Sequence, residues 1–281
     1  MAQFRKDTHT YLPQEKTIFE VVMLADQYGN LVGPANPSGA AVDAFGRARV
    51  SQPFTLWESF HRYQDNGKVS TANSASGSTV THRPNESAID CTITSTANSY
   101  VYRESTKVFA YQPGKSLLVL QTFVMAPGQT GLRQRFGHFG KLNGHYLEVA
   151  DNTVYLVRRS YTTGNVINTR IPQSQWNTDK LDGTGASGVT LDPTKYNVFQ
   201  IGIQYLGAGA IIFQVETCSV DGNNPEWVTV HTMKLPNTLT KTSFGNPSFP
   251  FTAAVYSAGS TSNLTLKVGS FAGFIEGEKK L

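Results

Sequence analysis

Charge is scarce in this 281-residue chain: Asp, Glu, Lys and Arg together make up 16% of it. Long solvent-facing helices draw on those residues, so their scarcity speaks against a helical protein. No stretch carries a 3.6-residue apolar stripe of helical length, and none approaches the ~20 apolar residues a membrane span requires. The segment 1–7 has no apolar run of the secretory kind, so the expectation is a soluble protein made in the cytosol, with no membrane partner. Cysteine is nearly absent. Cys91 and Cys218 are far apart in strand-like contexts, which suits two buried free thiols, while a single disulfide between them stays open. The net charge of +4 is spread thinly, a weak footprint for nucleic acid, and no specific nucleic-acid partner is expected.

What the chain does contain is turn formers and aromatics, with 25 Gly, 13 Pro and 11% Phe, Trp and Tyr. Period-2 runs of β-branched and aromatic residues, bounded by Gly, Pro, Asn or Asp, occupy 17–24, 116–125, 153–160, 196–206, 210–217, 227–235 and 263–276. Asn143-Gly144, Asp221-Gly222-Asn223-Asn224 and Tyr28-Gly29-Asn30 are hairpin-type turns between such runs. Many short strands without intervening helices predict an all-β fold: an antiparallel two-sheet sandwich of jelly-roll or lectin-like kind. Residues 1–52 hold the Pro- and Gly-rich run 33–39 and read as an extended N-terminal docking arm. Residues 53–281 read as the sandwich body, with a flexible polar loop of Ser, Thr, Ala, Asn and Gly at about 69–80.

Few residues suggest chemistry. Gly183-Thr184-Gly185-Ala186-Ser187-Gly188 spells the dinucleotide fingerprint, but no strand leads into it and no helix follows, so it reads as a turn and no cofactor is expected. Asp179, Asp182 and Asp192 flank that loop, but their spacing is not that of a calcium loop, and short carboxylates at such places cap turns. The six histidines show no metal-ligand spacing and no metal is expected; a hairpin at Asn143-Gly144 would bring His138 and His145 together as surface packing. No Ser sits in a G-x-S-x-G elbow, and nothing nominates a catalytic residue. Of the basic cluster Arg133, Arg135, Arg158 and Arg159, at most three can share one strand face, and pairing across subunits is the expected use.

The most informative segment is AFGRARVSQPFTLWESFHRY (44–63), where aromatic and Arg side chains interleave as they do at buried centres of protein–protein contacts. On its physics alone the same stretch serves equally as an edge strand of an ordinary core. It resembles a signature of tailed-bacteriophage virion structural proteins. Further blocks look like the same family: KVFAYQPGKS (107–116), LRQRFG (132–137), Asn143-Gly144 with Tyr146, VRRS (157–160), and WNTDKLDGTGASG (176–188) with Leu191-Asp192. The resemblance runs from about 43 to 209 and implies a non-enzymatic part of a capsid, neck or tail, made in the host cytoplasm and ending in the virion. Its implied partners are other virion proteins and copies of the same chain. Phe45, Phe54, Trp57, Phe60 and Tyr63 would form the interface, with Arg47, Arg49 and Arg62 giving directional bonds. The alternative is a module binding a host-surface glycan, for which Trp176, Asn177, Asp179, Asp182 and Trp227 are suitable residue types.

Overall fold

A computed structural model describes residues 53–276 except 66, 75, 219–224, 260 and 261, together with Leu24–Ala25 and Leu31–Val32. Two compact units divide the chain, Met1–Val50 and Ser51–Leu281. In the first, β1 (Leu24–Ala25) pairs antiparallel with β2 (Leu31–Val32). The rest of the docking arm, including 17–23 of the strand expected over 17–24 and Phe45, Arg47 and Arg49, lies outside the described residues.

The second unit is a two-sheet antiparallel sandwich. Its strands are β3 (Pro53–Ser59), β4 (Val69–Asn73), β5 (Ser78–Arg83), β6 (Ala88–Ile93), β7 (Tyr100–Ser105), β8 (Leu117–Val124), β9 (Gln129–Phe139), β10 (Gly144–Asp151), β11 (Thr153–Ser160), β12 (Ile167–Pro172), β13 (Asn197–Ile203), β14 (Ile211–Cys218), β15 (Pro225–Met233), β16 (Phe251–Ser257) and β17 (Leu264–Glu276). Among the described residues one sheet has seven strands in the order β12-β11-β10-β9-β16-β7-β4; the other has eight, β15-β14-β13-β8-β17-β6-β5 with β3 also on β17. A single 3-10 turn, Gln173–Gln175, is the helical segment among the described residues, and none there is long and apolar enough to cross a membrane.

Alternation places one side of each sheet in a common core. Phe136 of β9 meets Phe123 of β8 at 5.3 Å between ring centroids, and Phe251 of β16 meets Phe271 of β17 at 5.2 Å, so rings from opposite sheets interdigitate. In β17, Leu264, Leu266 and Val268 point inward, then Phe271, Gly273 and Ile275 do. The change of phase comes from a bulge between Val268 and Phe271, where an extra residue returns the apolar set to the core. The first half of β17 pairs with β6, and its second half pairs with β3, which continues the sheet where β6 ends.

Residues 69–80 are not the polar loop that composition suggests: β4 and the start of β5 lie there. Both strands sit at sheet edges, β4 on β7 and β5 on β6, and bury little side-chain surface. Backbone pairing holds them, so short polar residues suffice and leave no apolar alternation to read. Cys91 of β6 is a free thiol whose burial pushes its pKa up to about 12.

Candidate functional site

The residues singled out around β3 divide sharply. Trp57 is 5% exposed and packs against Phe271 at 4.8 Å, Phe251 at 5.4 Å and Phe109 at 5.9 Å. It is a core residue, which corrects its placement in a partner interface: its position on β3 faces inward across β17, and a side chain already enclosed has no surface to give a partner. Phe54, Phe60 and Tyr63 are by contrast 47%, 51% and 76% exposed, and Arg62 lies over the Tyr63 ring at 5.0 Å. Along β3 a groove of about 460 Å³ is lined by Thr55, Leu56, the edge of Trp57, Glu58, Lys68, Thr106 and Lys107.

The expected glycan contacts do mostly structural work. Trp176 is buried, with its indole Nε1 donating to the Ile171 carbonyl. Asn177 joins the loop to β15, accepting from the Thr232 amide and donating to its carbonyl, each at 2.9 Å. The buried carboxylate of Asp179 accepts from the amides of Leu181 (2.8 Å) and Ser187 (2.9 Å), so the glycine-rich loop folds around it. A Cβ on Gly185 would run into that carboxylate, which explains a glycine there without any phosphate. Burial works against ionisation of Asp179, but those amide bonds outweigh it and keep its pKa below the ordinary value. Asp182 and Asp192 each accept from a Thr amide and hydroxyl two residues on, which is turn capping. Trp176 and Asp179 therefore drop out as ligand contacts, whereas Asp182 and the partly exposed Trp227 face solvent. Among the described residues no group of three or more His, Cys, Asp or Glu could hold a metal ion.

His138 and His145 do meet across the β9–β10 hairpin, with ring centroids 5.2 Å apart, but inside the protein rather than on its surface. Both point inward among Phe249, Phe251 and Phe244. Nε2 of His138 bonds the Phe249 carbonyl at 2.9 Å, and its Nδ1 and both ring nitrogens of His145 have no protein partner. A cavity of about 20 Å³, room for one water, adjoins both rings. Desolvation lowers the pKa of His138 to about 3 and that of His145 well below 6.5, so both rings are neutral.

The outward face of the seven-stranded sheet is the constellation that sequence reading missed. Hairpin register puts Arg135 and Tyr155 on either side of Glu148, with Tyr146 two residues before it on the same face. Across the next strand pair, Arg170 stands opposite Val157 and Asn168 opposite Arg159. Glu148 is wholly buried and binds Arg135 Nε at 2.7 Å through one oxygen and Arg170 Nε at 2.6 Å through the other. Burial opposes its ionisation, but the Arg170 hydrogen bond and the Arg135 charge hold its pKa below the usual carboxylate range. Arg135 also lies over the rings of Tyr256 (4.9 Å) and Tyr146 (5.4 Å), and Arg159 over Tyr146 (5.3 Å) and Phe139 (5.6 Å). Of the basic cluster, Arg133, Arg135 and Arg159 share this face and Arg158 takes the other. Arg135 and Arg159 are bonded within the chain, which corrects their expected use across subunits; the short register distances to Glu148 and Asn168 let the chain supply the acceptors itself. A signal existed in the alternation of Arg, Tyr and Glu on 133–159, but only the register brings Arg170 to it.

No known family and no curated protein matches the chain. Similar solved structures include the CBM2 module of an evolved Dit protein from Lactobacillus casei BL23 phage J-1, at TM-score 0.48 and 8% identity, covering 82% of this chain and 99% of that one. Another is a glycoside hydrolase family 16 endo-glucanase from Bacteroides ovatus, at 0.47 and 10%, covering 78% and 99%. The carbohydrate recognition domain of Emp47p scores 0.46 at 12% identity, covering 81% and 98%. None of these scores reaches 0.5, and the assignment of the fold to an antiparallel β-sandwich rests on the chain's own two sheets.

Proposed function

We propose that this chain is a non-enzymatic structural component of a tailed-bacteriophage virion, joined to other virion proteins and to its own copies through the surface around β3. The observation that carries the reading is the exposure of Phe54 and Tyr63, 47% and 76%, in a segment that resembles a signature of such proteins. Large aromatics left in water mark contact surfaces, because their burial against a partner contributes most of an interface's free energy. The test is incorporation: in particles from complemented infections, Phe54→Ala combined with Tyr63→Ala should leave a folded protein whose copy number, measured by mass spectrometry, falls by at least about tenfold. Unchanged copy number would refute the assembly role of this surface. A second reading, a glycan-binding module of the particle, is favoured by the partly exposed Tyr155, Tyr256 and Arg170 on the outward face of the seven-stranded sheet.

A further inference from the structure

We infer that the Arg135–Glu148–Arg170 fork on the outward face of the seven-stranded sheet is a receptor for the carboxylate of an acidic saccharide. The inference rests on the glycan-binding reading and specifies its ligand. Both arginines hold Glu148 through Nε alone, each spending one of its five N–H donors. Arg170 is the open side of the fork, its side chain 30% exposed, whereas Arg135 is nearly enclosed at 10%. Because Glu148 engages each arginine with a different oxygen, it fixes one guanidinium group on each of its flanks before any ligand arrives. Little ordering cost then remains for the ligand to meet.

Charge selects an anion. Two guanidinium groups against one carboxylate leave one positive charge, and Arg159 on the same face adds another, its partners being the neutral Asn168 side chain, the Tyr146 hydroxyl and the carbonyls of Gly140 and Lys141. Planar forks of this kind bind carboxylates through paired, charge-assisted hydrogen bonds. The surroundings select a sugar: Tyr155 beside Glu148 and Tyr256 beneath Arg135 are partly exposed, so a pyranose can lay its C–H face on a ring while its carboxylate enters the fork.

Calorimetric titration of the full chain with trigalacturonic acid, neutral galactotriose and a sulfated trisaccharide separates the outcomes. The acid should bind at least about tenfold more tightly than the neutral sugar, and its affinity should fall as salt rises. Arg170→Gln should remove that preference and Arg170→Lys should keep part of it, with the fold of each checked by circular dichroism. Equal binding of acid and neutral sugar, or preference for the sulfated one, overturns the carboxylate receptor and leaves glycan binding in place. Absence of binding to all three at millimolar concentration overturns both. The comparison of ligands on the unmutated chain decides the matter even if an Arg170 variant fails to fold.

Discussion

Trp57 touches three aromatic rings drawn from both sheets and the segment after β7, so truncating it opens a cavity at the centre of the sandwich. Trp57→Ala should lower stability by about 3–5 kcal/mol, read as a reduced urea midpoint with unchanged slope. Tyr63→Ala should lower stability by no more than about a few tenths of a kcal/mol, since its ring is 76% exposed. The buried histidines make a second prediction. Burial lowers His138 to about 3 and His61 to about 4, and keeps His145 well below 6.5. The unfolded chain takes up these protons as pH falls through 6.5, whereas the folded chain does not until near 4 or 3. Stability is therefore full above pH 6.5 and declines from there toward pH 4, by about 1.4 kcal/mol per pH unit for each histidine. Urea titrations at pH 7 and pH 5 check this: the midpoint should drop, and His138→Gln should flatten the dependence.

Among the elements, the loop between β12 and β13 depends on one carboxylate. Asp179 gathers the Leu181 and Ser187 amides, and the Leu191 amide bonds the Leu181 carbonyl to close the turn. Asp179→Ala leaves two amide donors without their acceptor and should cost about 1–3 kcal/mol. Hydrogen exchange over 181–191 should speed up while β9 and β10 keep their protection, because those strands bond each other and not the loop. Uniform acceleration across the sandwich would contradict the local role. The same loop shows why a motif without its context misleads: its Gly185 answers to Asp179, not to a pyrophosphate.

For the whole molecule, the net charge of +4 is thinly spread for a nucleic-acid binder, and several cations are engaged in intramolecular pairs. Arg83 is paired with Asp90, Arg103 with Asp65, Lys267 with Glu86, and Arg135 and Arg170 share Glu148. Few phosphates can be neutralised together, so any retention on duplex DNA should vanish as salt approaches about 0.15 M. Fluorescence anisotropy of a labelled duplex measures it, and binding that survives that salt would contradict the assignment of these cations to intramolecular pairs.

The all-β class, the strands over 116–125, 153–160 and 263–276, and the β9–β10 hairpin were all legible in the chain, because period-2 burial and turn residues are local properties. The edge strands β4 and β5 were not, since they are held by backbone pairing that leaves no mark on side-chain pattern. Nor could local pattern choose which aromatics of 53–63 face inward: β3 pairs along one half of β17, and that pairing sends Trp57 to the core while Phe54 stays half exposed. Composition likewise identified the basic cluster, but only the register of four strands set Arg135 and Arg170 on the two oxygens of Glu148. Residues far apart in sequence acquire joint chemistry through strand order, and strand order follows from the burial of the whole sheet rather than from any one segment.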